Sequence, residues 1–200
     1  MTREALLVID VDSGNGWGNH FEDYGRTREH IGGAIKNFLD EERKTGGLVV
    51  FVMLDCRSPD RQVSQVCSDD IREEFILRED VHCIGCGPTY THLAPFLGHR
   101  HGEYFEPVFV KKNEEDAFTN GELVDFLCRE GVTTIRIIGC NTFQCIRATA
   151  RGALEHGFHV TLLKDGTYPP FVSKNEQVAW KKSLELFLQK PNEILRVVVQ

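Results

Sequence analysis

The chain has little that would suit a membrane or a nucleic acid. No apolar stretch approaches the roughly 20 residues that a transmembrane helix needs, and the opening residues MTREALLVID lack the pattern of a secretory leader. Lysine and arginine form no long run, and the formal net charge is −7. We therefore expect neither a membrane nor a nucleic acid as a partner.

The cysteine pattern of a secreted disulfide framework is also missing. The chain has seven cysteines, an odd number, and no secretory leader is recognisable before them. Cysteines in this setting are typical of reduced thiols, so we expect a cytoplasmic location. With 200 residues, of which 41% are hydrophobic, the chain can bury a full core, and its length favours one domain over residues 1–200.

Short apolar runs alternate with segments of helical periodicity. Residues 4–10, 48–54, 107–111 and 194–199 predict strands, whereas 27–44, 119–128 and 173–189 predict helices. Strands that alternate with helices indicate an α/β fold with a doubly wound, mostly parallel sheet covered on both faces. Residues 55–106 are less regular: 69–77 predict a short helix, and the turn-rich stretch 83–103 is expected to wrap around a site.

The most informative stretch is 133–163, which predicts a strand, a tight turn, a helix and a second strand. Its isoleucine-rich run 135–138 stops at Gly139, as a strand buried in a parallel sheet does. Gly157 stands where a glycine typically ends a helix. The rest of the chain is expected to be organised around this unit.

Cys145 falls in the first turn of the predicted helix, which Asn141 or Thr142 can cap. Backbone N–H groups and the helix dipole favour a thiolate at such a position and can hold a developing oxyanion. A nucleophile is therefore one interpretation of Cys145. The other is a small buried apolar residue, the commoner role of a cysteine.

Three ionisable groups are expected at the carboxyl ends of strands, where ligands of open α/β sheets bind. They are Asp10, one of Lys111 and Lys112, and Cys145. A carboxylate, an ammonium group and a thiol at one edge make a workable covalent hydrolase. Each also has a structural interpretation, as a helix cap, a solvated strand end and a core residue.

Three segments resemble the signature segments of the isochorismatase-like cysteine hydrolases, in the same order and spacing. They are VID at 8–10, KKNEEDAF at 111–118 and GCNTFQCIRATARGALEHGFHV at 139–160. The resemblance covers most of the chain, with 55–106 as its weakest region. It implies a three-layer α/β/α fold with a parallel sheet of about six strands, and assembly into homo-oligomers.

The resemblance implies a role for each of the three groups. Asp10 matches the general base, Cys145 the nucleophile, and Lys112 the catalytic lysine, four residues before Asp116. It also implies a cis peptide bond between Cys140 and Asn141. The N–H groups of Asn141 and Cys145 would form the oxyanion hole.

The resemblance further implies a small substrate pocket. Phe118 and Gln144 match pocket-lining positions, and Trp17 or Phe21 can supply an aromatic wall. Family members that cleave the vinyl ether of isochorismate lack the nucleophile that Cys145 represents. This chain therefore resembles the amidohydrolase branch, which attacks a small amide or carbamoyl carbonyl and passes through a thioester.

The sequence departs from the family pattern at two places. Asp12 stands where relatives often carry an amide side chain, and it would repel the carboxylate of Asp10 or bind a cationic part of the substrate. Nicotinamidases carry an Asp-x-His metal motif after the second strand, where this chain reads DCR at 55–57. We expect neither that metal nor nicotinamidase activity, and no cofactor.

Two further pairs have metal-like spacing, Cys83 with Cys86 and His99 with His101. Each lacks an obvious second pair, and zinc normally takes three or four protein ligands, so we expect no metal there.

Two other functions remain open. LLVIDVDSG at 6–14 is similar to the first motif of haloacid-dehalogenase-type phosphatases, but no convincing acidic metal motif follows either lysine segment, and the Cys145 pattern would be unexplained. A catalytically silent family member that binds a metabolite or a partner is the second. The intact Asp10, Lys112 and Cys145 argue against it.

Overall fold

A six-stranded parallel sheet forms the centre of the molecule. The computed structural model describes residues 3–11, 28–54, 82–83, 87–88, 99–100, 103–104, 106–111, 115–168, 171, 173–185 and 197–200. The strands are β1 (Arg3–Ile9), β2 (Leu48–Leu54), β3 (Val108–Lys111), β4 (Val132–Cys140), β5 (His159–Tyr168) and β6 (Val197–Val199). Their order across the sheet is β6-β5-β4-β1-β2-β3.

Four α-helices lie among the described residues: α1 (Arg28–Lys44), α2 (Gly121–Arg129), α3 (Cys145–Glu155) and α4 (Lys174–Glu185). A 3₁₀ turn, Ala117–Thr119, precedes α2. The predicted α/β class and the parallel sheet of about six strands are confirmed. The helix predicted at 69–77 lies outside the described residues.

Two small antiparallel ladders interrupt the long connection between β2 and β3. His82–Cys83 pairs with Gly87–Pro88, and His99–Arg100 pairs with Glu103–Tyr104. Neither ladder belongs to the central sheet. Two-residue strands are too short to show a periodic pattern, and the sequence did not predict them.

Side chains of the central strands alternate between two hydrophobic cores, one on each face. Leu6 and Val8 of β1 join the core that contains Ile35 and Leu39 of α1. The opposite core takes Ala5, Leu7 and Ile9 of β1 together with residues of α2, α3 and α4. Each fully buried leucine or isoleucine contributes roughly 1.5–3 kcal/mol, so both layers of helices are held by burial.

Charged side chains add a polar link on the α1 face. Glu42 of α1 is 7% exposed and pairs with Arg136 of β4, which lies 3.9 Å from a carboxylate oxygen of Glu4. Arg43 is paired with Glu106, with 2.5 Å between its Nε and Oε1. The C-terminal turn of α1 is therefore tied to the sheet and to the segment before β3.

The strand order reverses between β1 and β4. From β1 the sheet extends one way through β2 and β3, and from β4 it extends the other way through β5 and β6. The helix after β1 packs on one face and the helix after β4 on the other. A crevice forms at the carboxyl ends of two such strands, and ligands of open α/β sheets bind there.

Candidate active site

Cys145 is the first residue of α3 and is half-buried. The helix cap is Gln144, whose side chain makes no capping hydrogen bond, and the first turn contains no acidic residue. Backbone groups replace a side-chain cap: the carbonyl oxygen of Asn141 accepts from the N–H of Ile146 at 3.0 Å and of Gln144 at 3.1 Å. The positive end of the helix dipole at Cys145 thus meets no carboxylate from its own turn, which favours a thiolate.

The turn of residues 140–144, here called the nucleophile turn, connects β4 to this helix. Its peptide bond between Cys140 and Asn141 is cis, as the resemblance implied. The Asn141 side chain accepts from the N–H of Phe143 at 3.0 Å. The N–H of Thr142, a fully buried residue, donates to the carbonyl of Tyr168 at 2.7 Å. The prediction that Asn141 or Thr142 caps the helix with its side chain was wrong, because the helix begins at Cys145 and the cap position falls on Gln144.

Gly139 lies near the end of β4, opposite Ile9 at the end of β1. Its φ is +119°, and a Cβ atom built on it would lie 2.0 Å from the carbonyl oxygen of Ile9, its register partner. No side chain fits there, and the dihedral itself suits only glycine. Because neighbouring strands lie about 4.8 Å apart, the residues that follow Ile9 and Gly139 share one edge of the sheet.

Asp10 stands directly after β1 at this edge. Its backbone is left-handed, with φ +48°, and its N–H donates to the carbonyl of Val52 in β2 at 2.9 Å. The residue is half-buried, and its Oδ1 atom is buried. Aspartate tolerates this conformation better than most residues, and such outliers often occur at functional sites.

The 3₁₀ turn after β3 packs against the middle of α3. The backbone N–H of Ala117 donates to Oγ1 of Thr149 at 3.1 Å, and the Thr149 side chain is fully buried. A Cβ atom at Gly152 would lie 2.3 Å from a carboxylate oxygen of Asp116, so only glycine leaves room for that carboxylate. Asp116 in turn accepts from the N–H of Phe118 at 2.8 Å. The segment that follows the predicted lysine is therefore fixed on the helix that begins with Cys145.

Four of the predicted site residues lie outside the described part of the chain or have undescribed side chains. Lys111 ends β3 with its side chain undescribed, and Lys112, Trp17 and Phe21 are outside the described residues. Their predicted roles stay predictions.

The two remaining pocket candidates have very different surroundings. Gln144 is exposed and precedes Cys145 directly. Phe118 is 5% exposed, and its ring centroid lies 5.6 Å from those of His156 and Phe158, beyond the C-terminal end of α3. The pocket role of Phe118 stays a prediction, and the described contacts make the residue part of the hydrophobic core.

Three features that hold the site were not recognised from the sequence. Trp180 of α4 donates its indole N–H to the carbonyl of Thr142 at 2.9 Å. Thr149 and Gly152 were seen only as parts of a family pattern, and the structure gives them the docking roles just described. The helical pattern over 173–189 carries no information about the hydrogen-bond partner of Trp180.

Among the residues that the structure describes, no three histidine, cysteine or acidic side chains are grouped as they would be around a metal ion. Cys83 and His99 lie in the two small ladders, whereas Cys86 and His101 are outside the described residues. Within the described ranges, no helix is both long enough and apolar enough to span a membrane.

Comparison with known proteins agrees with the fold and the motifs. The family model of the isochorismatase domain matches residues 4–193. A maleamate amidohydrolase from Pseudomonas putida is 36% identical over 58 residues, which are 29% of this chain and 27% of that protein. A streptothricin hydrolase from Streptomyces noursei is 41% identical over 56 residues, which are 28% of this chain and 22% of that protein. The matched stretches thus span only about a quarter of these two relatives' own lengths.

Solved structures show the same architecture over nearly the whole chain. An isochorismatase family protein from Desulfovibrio vulgaris is 21% identical, with a TM-score of 0.64 and coverage of 99% of this chain and 95% of that one. An octameric hydrolase of unknown specificity from Escherichia coli is 12% identical, with a TM-score of 0.56 and coverage of 98% and 75%. The match of the family model over residues 4–193, together with this fold, shows that the chain belongs to the isochorismatase family of hydrolases.

Proposed function

We propose that the protein is a cysteine hydrolase that cleaves a small amide or carbamoyl C–N bond through a thioester. Asp10, Lys112 and Cys145 are its proposed catalytic residues. The family membership and the similarity to a maleamate amidohydrolase support an amide substrate.

One observation carries the proposal. Cys145 begins α3 at the edge where β1 and β4 lie side by side, and Asp10 follows β1 at that same edge. A thiol at a helix N-terminus and a carboxylate on the adjacent strand supply a nucleophile and a proton acceptor in one crevice.

In the first half of the proposed reaction, the Cys145 sulfur attacks the carbonyl carbon of the substrate while Asp10 takes the thiol proton. A C–S bond forms, and the carbonyl oxygen becomes an oxyanion that the N–H groups of Asn141 and Cys145 stabilise. Asp10 then gives the proton to the nitrogen. The C–N bond breaks, and ammonia or an amine leaves a thioester on Cys145.

In the second half, Asp10 takes a proton from a water molecule that attacks the thioester. The C–S bond breaks, the proton returns to the sulfur, and the acid product is released. The Lys112 ammonium group would favour the thiolate by its charge. Because the thiolate, the carboxylate and the N–H groups supply every step, the proposed reaction uses no metal or cofactor. Gln144, Phe118 and Trp17 or Phe21 would line the substrate pocket.

The test is a screen of small amides, ureides and carbamoyl amino acids for release of ammonia or an amine. We expect Cys145→Ser to lower the turnover of a hit at least about a thousandfold, because the nucleophile is lost. Cys128→Ser is the matched control, since Cys128 is an exposed thiol on α2. It should leave the rate unchanged.

Thiol labelling distinguishes an enzyme from a silent family member. Iodoacetamide should modify Cys145 well below pH 8, and Lys112→Ala should slow that modification. No turnover in the screen, together with equal reactivity of several cysteines, would overturn the proposal and favour a metabolite-binding or partner-binding role.

We also propose that the protein is a cytoplasmic homo-oligomer. The seven cysteines support a reducing compartment, and the family resemblance and the octameric Escherichia coli relative support assembly. Analytical ultracentrifugation at micromolar concentration should give a mass above one chain, and a monomer would contradict the assembly.

A further inference from the structure

The nucleophile turn, residues 140–144, is held from a distant part of the chain. Trp180 is 3% exposed, and its indole N–H donates to the carbonyl of Thr142, 38 residues earlier, at 2.9 Å. The N–H of the same Thr142 donates to Tyr168. Both backbone groups at the centre of the turn therefore have fixed partners, one on β5 and one on α4.

A series of ring contacts reinforces this link. The ring of Trp180 lies edge-on to Phe171, with 6.1 Å between centroids and 81° between planes. Phe171 meets Phe143 of the nucleophile turn in the same way, at 5.6 Å and 84°. Aromatic pairs of this geometry are favourable beyond the area that they bury. The turn thus contacts α4 through a hydrogen bond and through packed rings.

We propose that Trp180 is a positioning residue for the reaction, an inference that rests on the proposed function. Thr142 follows Asn141 directly and lies three residues before Cys145, the two residues whose N–H groups would form the oxyanion hole. Without the indole N–H, the buried carbonyl of Thr142 would lack this donor, and the turn would shift to find a replacement. A displacement of about 1 Å at such donors lowers a rate by up to about 10²-fold.

A purely structural role of Trp180 makes a different prediction. Leu184, one helical turn later on α4, is 1% exposed and belongs to the same hydrophobic core. If Trp180 only fills this core, truncating either residue should have the same consequences for activity. Leu184→Ala is therefore the matched control, because it weakens the packing of α4 and leaves the indole donor in place.

The experiment compares three proteins with the wild type at a temperature where all are folded. They carry Trp180→Phe, Leu184→Ala, or β-(3-benzothienyl)alanine at position 180, which keeps the bicyclic shape and replaces the N–H by sulfur. We expect both position-180 variants to lose about ten- to a hundredfold in kcat with KM within twofold, and Leu184→Ala to stay within twofold of the wild-type kcat. Equal kcat losses at positions 180 and 184, or no loss in the benzothienyl variant, would overturn the proposal.

A second measurement separates this inference from the proposed function. The rate of Cys145 alkylation by iodoacetamide at pH 7, followed by mass spectrometry, needs no substrate. It should fall severalfold in both position-180 variants and not in Leu184→Ala. If the wild type hydrolyses no amide, the proposed function fails, and this rate alone decides the role of Trp180. A rate in the position-180 variants equal to that of the wild type would then overturn it.

Discussion

Single residues at the sheet edge are selected by backbone geometry as much as by chemistry. Asp10, which follows Ile9 of β1, has φ +48°. Gly139, which is the register partner of Ile9 on β4, has φ +119°. The two positions place different requirements on the backbone and the side chain. Asp10 must carry a carboxylate in a left-handed conformation, whereas Gly139 must carry no side chain at all.

Gly139→Ala should lower the free energy of unfolding by about 3 kcal/mol or more, because it combines a strained dihedral with a backbone clash. The new Cβ would lie 2.0 Å from the oxygen of Ile9. Gly131→Ala is the matched control, since Gly131 has φ +69° and a Cβ there would meet nothing within 4 Å. That variant should lose only about 1–2 kcal/mol. Urea denaturation of both proteins measures the difference, and equal losses would contradict it.

The position of a single residue could be predicted from the sequence where a local pattern or the family motif specified it. The β-branched run placed Gly139 at the end of its strand, and the motif placed the cis bond after Cys140. The acceptor of the Trp180 indole could not be predicted in this way, because a contact across 38 residues depends on how α4 packs. Residues 12–27, which include Trp17 and Phe21, are outside the described part of the chain.

Among the elements, α3 is the one on which the segments with the proposed catalytic residues meet. Its first residue is Cys145, and its middle receives the 3₁₀ turn through Thr149 and Gly152. Lys112 is four residues before Asp116 in the sequence, so the same docking would fix the segment that carries it. Activity should therefore depend on a contact that touches no substrate.

Thr149→Val tests this docking. Valine has nearly the shape of threonine but leaves the buried N–H of Ala117 without its acceptor, which should cost about 1–3 kcal/mol of stability. We also expect a lower kcat, because the segment before Asp116 loses an anchor. Thr149→Ser keeps the hydroxyl and should retain kcat more fully than valine does. Denaturation curves and turnover of an amide hit measure both effects, and a serine variant as slow as the valine variant would contradict the docking role.

The two ends of α3 differ in how far the sequence predicted them. Gly157 ends α3 as predicted, with φ +85° and its N–H on the carbonyl of Leu154. Cys145 lies in the first turn of α3, as predicted, but the predicted cap at Asn141 or Thr142 was wrong, because the cap position falls on Gln144. A glycine end follows from the local dihedral alone, whereas Asn141 and Thr142 are drawn into contacts within the turn and with β5.

For the whole molecule, polar contacts add to the two cores that hold the layers together. Arg136 of β4 forms an ion pair with Glu42 of α1, and the two side chains are 26% and 10% exposed. Removing the partner of a carboxylate buried to this extent lowers the stability of the fold strongly, because an unpaired charge stays buried. Removing both charges together does not have this effect.

Arg136→Leu should therefore destabilise the protein by about 3 kcal/mol, because Glu42 would be left buried with its main counter-charge removed. The double variant Glu42→Leu/Arg136→Leu should recover most of that loss. Thermal and urea unfolding of the two single variants and the double variant form a double-mutant cycle that measures the coupling. Additive losses in the double variant would show that the pair contributes little to joining α1 to the sheet.

Because Trp180 contacts the nucleophile turn, its intrinsic fluorescence should respond to changes at that turn. The chain has two tryptophans, so a Trp17→Phe background leaves one indole as the emitter. That indole lies 2.9 Å from a carbonyl in the turn that leads to Cys145. In the proposed reaction, ligand binding, acylation and deacylation should each change its fluorescence, and a stopped-flow trace would follow these steps without a dye or a chromogenic substrate.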